Sequence, residues 1–286
     1  MDAETGADCV TLGVPDIEIR LLVQAVFLRY GHDFRDYAQA SLKRRRVLQA
    51  QQRMGAPSIS ALQERVLHDP DQFSQLLQYL TVPVSEMFRD PAYFLALRRH
   101  VVPVLRTYPS LKIWVAGCST GEEPYSLAIL LHEEGLLERS ILYATDINHA
   151  SLEKARQGIF SLEHMQAFTR NYQRAGGKAS FSGYYTASYG GALFEKRLRD
   201  SITFADHSLA TDAVFSETHL VSCRNVLIYF NRTLQDRALG LFHESLSRRG
   251  FLGLGAKETL DFSAYADRFE AVSRPDRIYR RVGNGA

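Results

Sequence analysis

From Leu111 onward the chain alternates between short apolar runs of strand length and longer runs of helical length. LKIWVAG is followed by EEPYSLAILLHEEG and ILYATDI by SLEKARQGI, while SITFAD, HLVSC and GFLGLG read as three further strands. Strands that are apolar throughout must be covered on both faces, so this alternation dictates a mostly parallel sheet between layers of helices. RFEAVS and RIYRRV, on either side of the turn residues Arg274, Pro275 and Asp276, read as a closing antiparallel hairpin.

Ahead of that point the texture changes. Apolar residues recur at helical spacing (Ile17, Leu21, Leu22 and Phe27, then Tyr37, Leu42, Val47 and Leu48), and strand signals are almost absent. Ser58 and Asp69 or Pro70 stand where helix starts belong. The reading is an all-α domain over residues 1–81, a linker helix region over 82–108 and an α/β domain over 109–286. Within the last, about 170–200 is rich in Gly, Ser and Tyr, and its aromatics predict a small inserted β-subdomain.

Bulk charge and cysteine usage exclude several classes. With 34 Lys and Arg against 32 Asp and Glu, the surface as a whole has no bias toward nucleic acid. Cys9, Cys118 and Cys223 are odd in number and form no C-x-x-C pair, which argues against a disulfide framework or a zinc site. His100, His132, His149 and His207 show no metal-ligand spacing, so no metal is expected. The first ten residues lack a basic, then apolar, secretory pattern, and no apolar run is long enough to span a bilayer. A cytoplasmic location is the resulting expectation.

The loop between the first strand and its helix reads GCSTGEEP and carries two adjacent acids, Glu122 and Glu123. In a Rossmann-like site this loop and the helix N-terminus face the ligand. Carboxylates there repel a pyrophosphate, at about 1 kcal/mol per pair at 4 Å in water and several times more in a cleft. The loop also lacks the Lys-Ser/Thr ending of a P-loop. S-adenosyl-L-methionine, cationic at sulfonium and ammonium and free of phosphate, suits it. Asp146, at the tip of the second strand, stands where an acid accepts hydrogen bonds from ribose hydroxyls, the alternative being a helix N-cap. One of the two glutamates has the simpler role of complementing the helix dipole, and Glu123 is taken to face the ligand. A terminal antiparallel hairpin separates methyltransferase-type sheets from plain dinucleotide folds.

STGEEPYS, ATDI followed by LEKARQGIF, SCRNVLIYF and LTVPVSEMFRD together resemble the chemotaxis receptor methyltransferases, the CheR family, over nearly the whole chain. The resemblance implies an all-α N-terminal domain joined to a Rossmann-like methyltransferase sheet with an inserted β-subdomain. It implies S-adenosylmethionine-dependent methyl esterification of glutamates on the cytoplasmic helices of methyl-accepting chemoreceptors; a monomer that binds no nucleic acid is the accompanying expectation. Arg89 then matches the arginine near the methionine end and the incoming carboxylate, and Ser85 a hydroxyl that contacts the cofactor. Glu123 and Asp146 match the acids on its cationic and ribose parts, Ser208 and Leu209 the adenine-side turn, and Arg224 and Asn225 the residues after the fourth strand. Tyr229 matches the tyrosine facing the transferred methyl, with an aromatic packed beside Phe230 as the alternative. Two departures stand out: Pro83 replaces an asparagine, and Lys257 precedes Glu258 where the family often has Ser-Glu.

A glutamate is already ionised at neutral pH, so no general base is required, and catalysis rests on holding oxygen, methyl carbon and sulfur in line. Arg89 orients the carboxylate by charge-assisted hydrogen bonds. The run Lys43, Arg44, Arg45 and Arg46, with Arg53 beyond it, is read as a basic helix that docks an acidic receptor helix in preference to a merely solvated face. Binding of a receptor C-terminal peptide at the β-subdomain stays open. So do a methyltransferase acting on RNA or a small molecule, and a non-catalytic S-adenosylmethionine-binding signalling module.

Overall fold

The computed structural model describes residues 12–37, 40–81 and 85–282. Pro83 lies outside the described residues, as does the side chain of Leu42. The chain divides into two compact units, Met1–Arg35 with Gln39–Leu80, and Asp36–Ala38 with Thr81–Ala286. Among the described residues no helix is long and apolar enough to cross a membrane.

The first unit is built of helices at Val14–Tyr30, Ala40–Arg53, Ile59–His68 and Pro70–Leu80. Gly31 ends the first of them at φ 75°, a conformation that costs a glycine little. Ser58 Oγ accepts the Ala61 N–H and starts the third. The apolar stripe of the first helix differs from the expected one: Ile19, Leu22, Val23 and Val26 are buried, whereas Ile17 and Leu21 are exposed. That helix is apolar on more than one side, so spacing alone could not choose its inner face.

Among the described residues the second unit holds ten strands: β1 (Leu111–Ala116), β2 (Ser140–Asp146), β3 (Ile159–Ser161), β4 (Tyr185–Ser188), β5 (Gly191–Phe194), β6 (Ile202–Asp206), β7 (Thr218–Cys223), β8 (Leu246–Leu254), β9 (Phe269–Ser273) and β10 (Ile278–Arg281). The main sheet runs β6-β2-β1-β7-β8-β10-β9. Pairing is parallel from β6 to β8, and β10 is antiparallel to both neighbours. Along β1 the pleat sends Ile113 and Val115 to one buried cluster and Trp114 and Ala116 to the other, so the sheet is covered on both faces. Strand order reverses beside β1, which sets the crevice for a ligand at the carboxyl ends of β1, β2 and β7.

The stretch read as a linker belongs to this second unit. Phe94, Leu97, Val101, Val102 and Leu105 are buried in the same core as β1. Helix Pro91–Ala96 passes through a π-helical turn at Leu97–Val101 into Val102–Leu105, and Val102 N donates to Leu97 O. Pro103 lacks an N–H and its ring crowds the preceding turn, which the wider π turn accommodates.

The inserted sheet, ordered β3-β5-β4, begins earlier than composition indicated. Its first strand ends at Ser161, and the helix Leu162–Arg174 occupies the start of the stretch assigned to the subdomain. A three-residue strand has no periodicity to read. Glu133 anchors this insertion: its carboxylate accepts from Tyr172 Oη, Tyr184 Oη (2.9 Å) and Lys178 N (2.8 Å), and pairs with Arg98.

Candidate active site

The loop after β1 turns back over the end of β2. Gly117 N and Cys118 N both donate to Thr145 O, at 2.8 and 2.9 Å. Gly117 sits at φ 73°, and a Cβ there would lie 2.4 Å from Val226 Cγ2. Gly121, at φ 98°, would place a Cβ 2.9 Å from that of Ala155. Both glycines are therefore required by backbone conformation and by close approach.

Asp146 closes the floor of the loop. Its Oδ2 accepts from Ser119 N at 2.8 Å and its Oδ1 from Asn148 N at 2.9 Å. The next helix, His149–Gln157, is capped by Asn148, whose side chain accepts from Ser151 N. Asp146 is thus not that helix's cap. Burial pushes its carboxyl pKa up, against the opposing pull of these N–H groups, and the charge of Asp206 adds to the rise.

The two glutamates of the loop have different fates. Glu122 is 8 % exposed. It accepts from Thr120 Oγ1 at 2.7 and 2.9 Å and from the Ser85 hydroxyl. Burial raises its pKa, and these hydroxyls only partly oppose that. Glu123 accepts from Ser222 Oγ at 2.6 Å and from Arg224 Nη1 at 3.2 Å. Arg224 in turn donates from Nη2 to Arg89 O (2.9 Å) and Asp90 Oδ2 (2.8 Å), and lies 4.2 Å over the Tyr93 ring. Tyr93 Oη completes the chain to Ser222 Oγ at 2.8 Å, and burial with the nearby Glu123 charge pushes its phenol well up.

With its side chain 1 % exposed, Arg224 is occupied in holding this scaffold. What it holds is the segment carrying Arg89. Phe88 and Asp90 both take left-handed conformations, at φ 52° and 54°. For non-glycine residues each costs on the order of 1–3 kcal/mol, and such strain persists only where the surroundings impose it. Here the Phe88 N–H is taken by Ser126 Oγ at 2.9 Å, and its buried ring meets Phe94, Tyr172 and Phe181.

After β7, Asn225 is again left-handed at φ 62°. Its N–H donates to Glu258 Oε2 (3.0 Å), which also accepts from Gly255 N (2.6 Å), while Oε1 accepts from Ile228 N (3.3 Å). Glu258 is 4 % exposed, and burial raises its pKa against those N–H contacts. This acid ties the end of β8 to the turn Leu227–Tyr229. Tyr229 packs against the cluster that contains Phe230 and Leu234. Sequence reasoning singled out Glu258 only as a departure; the available signal was an acid beside an otherwise apolar strand end.

Ser208 and Leu209 are buried in the turn after β6, where Ser208 N donates to Asp212 Oδ2 at 2.9 Å and His207 N to Asp146 O at 3.4 Å. Ser85, Glu122, Glu123, Asp146, Arg224, Asn225 and the Arg89 backbone thus stand around the carboxyl ends of the central strands, with Glu123, Arg224 and the Arg89 carbonyl in one hydrogen-bond relay and Ser85 with Glu122 in another. The basic helix belongs to the first unit. Its Arg46 donates to Leu80 O at 2.7 Å, Lys43 to Arg35 O at 2.8 Å, and Arg44 pairs with Asp16 at 3.5 Å. Arg45 and Arg53 are exposed.

The chemistry of this edge fits S-adenosylmethionine. The loop leaves no room for a Cβ at Gly117 and is lined by Glu122, Glu123 and Asp146. A phosphate would meet their charge, whereas a sulfonium or an ammonium is stabilised by it.

Comparison with known proteins places this geometry in context. A family model described as "CheR methyltransferase, SAM binding domain" matches residues 83–278, and one described as "CheR methyltransferase, all-alpha domain" matches residues 17–81. The chain is 66 % identical over 266 residues to Cher3 of Pseudomonas putida, described as a candidate methyltransferase, covering 93 % of this chain and 97 % of that one. It is 29 % identical over 251 residues to a chemotaxis protein methyltransferase of Listeria monocytogenes, covering 86 % and 92 %. Among solved structures, the N-methyltransferase NodS of Bradyrhizobium japonicum is 12 % identical with a TM-score of 0.38 over 69 % of this chain and 89 % of that one, too distant to bear on the site.

Proposed function

Because the chain belongs to the CheR family of S-adenosylmethionine-dependent methyltransferases, we propose that it esterifies glutamate side chains on the cytoplasmic helices of chemoreceptors. The observation that carries the reading is the strained Phe88–Asp90 segment, pinned by Arg224 beside the acidic loop. It is what a site needs when an arginine must orient a carboxylate next to a cationic cofactor.

Asp146 would hold the ribose, with Ser208 and Leu209 on the adenine side and Glu122, Glu123 and Ser85 toward the methionine end. S-adenosylmethionine, when bound, supplies an electrophilic methyl whose transfer forms an O–C bond, breaks the S–C bond and moves no proton. Arg89 orients the incoming carboxylate without neutralising it fully. Arg224 and Asn225 position that machinery, and Tyr229 walls the methyl's path. With no proton to move, the chain needs no general base, in keeping with catalysis by alignment.

The test is incubation with methyl-labelled S-adenosylmethionine and a panel of chemoreceptor cytoplasmic fragments. Base-labile label on glutamate is expected. Cofactor binding without label on any fragment would overturn the reading.

A further inference from the structure

One loop and one turn beside the site are unused by this mechanism. Phe262, in the loop after β8, is a non-glycine residue at φ 70° and is 85 % exposed. A bulky residue in the left-handed region is an outlier, and a bare aromatic ring forfeits the burial that makes aromatics useful. The loop is not loose around it. Ala264 N donates to Asp236 Oδ1 at 3.2 Å, Asp261 N to Thr259 Oγ1 at 3.1 Å, and Glu258 ties its start to Asn225. Positive-φ strain held in place by an anchored loop, with an aromatic ring displayed to water, singles this position out as a candidate contact point.

From the same loop opens a shallow surface pocket of about 100 Å³ walled by Leu260, Ala266, Phe269 and Tyr279, with Arg274 and Arg277 on its rim. Among the described residues neither guanidinium has a hydrogen-bond or ion-pair partner. The one acid in the lining, Asp261, already accepts from Thr259 Oγ1 at 2.8 Å. Register fixes where this rim lies. Cys223 pairs with Leu254, and Leu254 N donates to Arg277 O, so Arg277 stands at the same edge of the sheet as Asn225, two strands away. At about 4.8 Å per strand that is roughly 10 Å.

We infer that Phe262, Arg274 and Arg277 form a docking surface for the acidic amphipathic helix that carries the target glutamate. Resting on the proposed protein-glutamate substrate, it names where that substrate is held. A helix rises 1.5 Å per residue, so 10 Å is about seven residues, or two turns. The occupant presents an apolar side chain to Phe262 and acids to the two arginines, about two turns from the part of the helix that lies over Asn225.

The test compares the intact chain with Phe262→Gly and with Arg274→Glu/Arg277→Glu, measuring methyl transfer to a chemoreceptor cytoplasmic fragment against fragment concentration. Cofactor affinity is followed in parallel by calorimetry. Glycine relieves the positive φ, so Phe262→Gly is expected to fold at least as stably as the parent. For both variants KM for the fragment rises about tenfold while kcat and the cofactor Kd stay within twofold. Unchanged KM in both, with the parent methylating the fragment normally, overturns this surface and leaves the substrate reading standing. Absence of transfer by the parent removes the substrate reading and this surface with it.

Discussion

In the proposed site Arg224 holds the segment that carries Arg89, and Arg89 orients the substrate carboxylate. Arg224 meets Glu123, Asp90 and the Arg89 carbonyl from one buried guanidinium. Arg224→Leu leaves Glu123 without its cation, so a loss of about 3 kcal/mol of stability is expected, read from the denaturation midpoint. Arg89→Ala, by contrast, should lower turnover at least tenfold and change the cofactor Kd little, because the role proposed for it is orientation of the nucleophile. Asp146→Ala should do the opposite, weakening cofactor binding strongly, and normal calorimetric binding by that variant would displace the ribose from this strand end. The acids also set a pH dependence. Glu122 and Asp146 have carboxyl pKa values raised by burial. Their contribution to folding is therefore fully present below the unfolded carboxyl range and is lost as pH rises through the folded values. A cationic cofactor relieves that cost only when the acids are ionised. The rise in Tm on adding S-adenosylmethionine should be larger at pH 7.5 than at pH 5, and an equal rise at both would show that these carboxylates do not meet the cation.

Elements show a similar division between local pattern and tertiary cause. The glycine loop was legible because repulsion between carboxylates and phosphate is a local argument, and β1 and β2 because their apolar runs are of strand length and end in turn residues. Gly117 adds a requirement that no local pattern carries: its missing Cβ makes room for Val226, more than a hundred residues later. Gly117→Ala should cost about 1–3 kcal/mol in chemical denaturation. Adding Val226→Ala should return part of that loss, since it removes the clash and leaves the positive φ; strict additivity of the two costs would refute the contact. The parts that were not legible share this distance. Arg224 reaches Glu123 across 101 positions, and Glu258 reaches Asn225 across 33. The inner face of the helix Val14–Tyr30 and the three-residue strand β3 were hidden for a different reason, since one is apolar on several sides and the other is too short to show a period.

At the scale of the whole molecule, charge balance and local charge point in different directions. A formal net charge of +2 gives no general attraction to an acidic partner, so docking must come from particular cations. Four consecutive basic residues on a helix span most of its circumference, at 100° per residue, and so do not form one face. Arg46 is spent on the Leu80 carbonyl, Lys43 on the Arg35 carbonyl and Arg44 on a surface pair with Asp16. Arg45 and Arg53, eight positions apart, lie on the same side and are exposed. They are the cations of this helix best placed to steer a receptor helix by long-range attraction. Arg45→Glu/Arg53→Glu should therefore raise KM for a receptor fragment about tenfold at low ionic strength, and the effect should shrink at 0.5 M salt, where the Debye length is only about 4 Å. Arg46→Ala should behave differently, lowering the stability of the helical unit by about 1 kcal/mol through loss of a hydrogen bond to a helix C-terminal carbonyl, with little change in salt dependence. Kinetics at two ionic strengths beside a thermal melt separate the two roles, and a salt-independent KM in the double reversal would remove this helix from substrate capture.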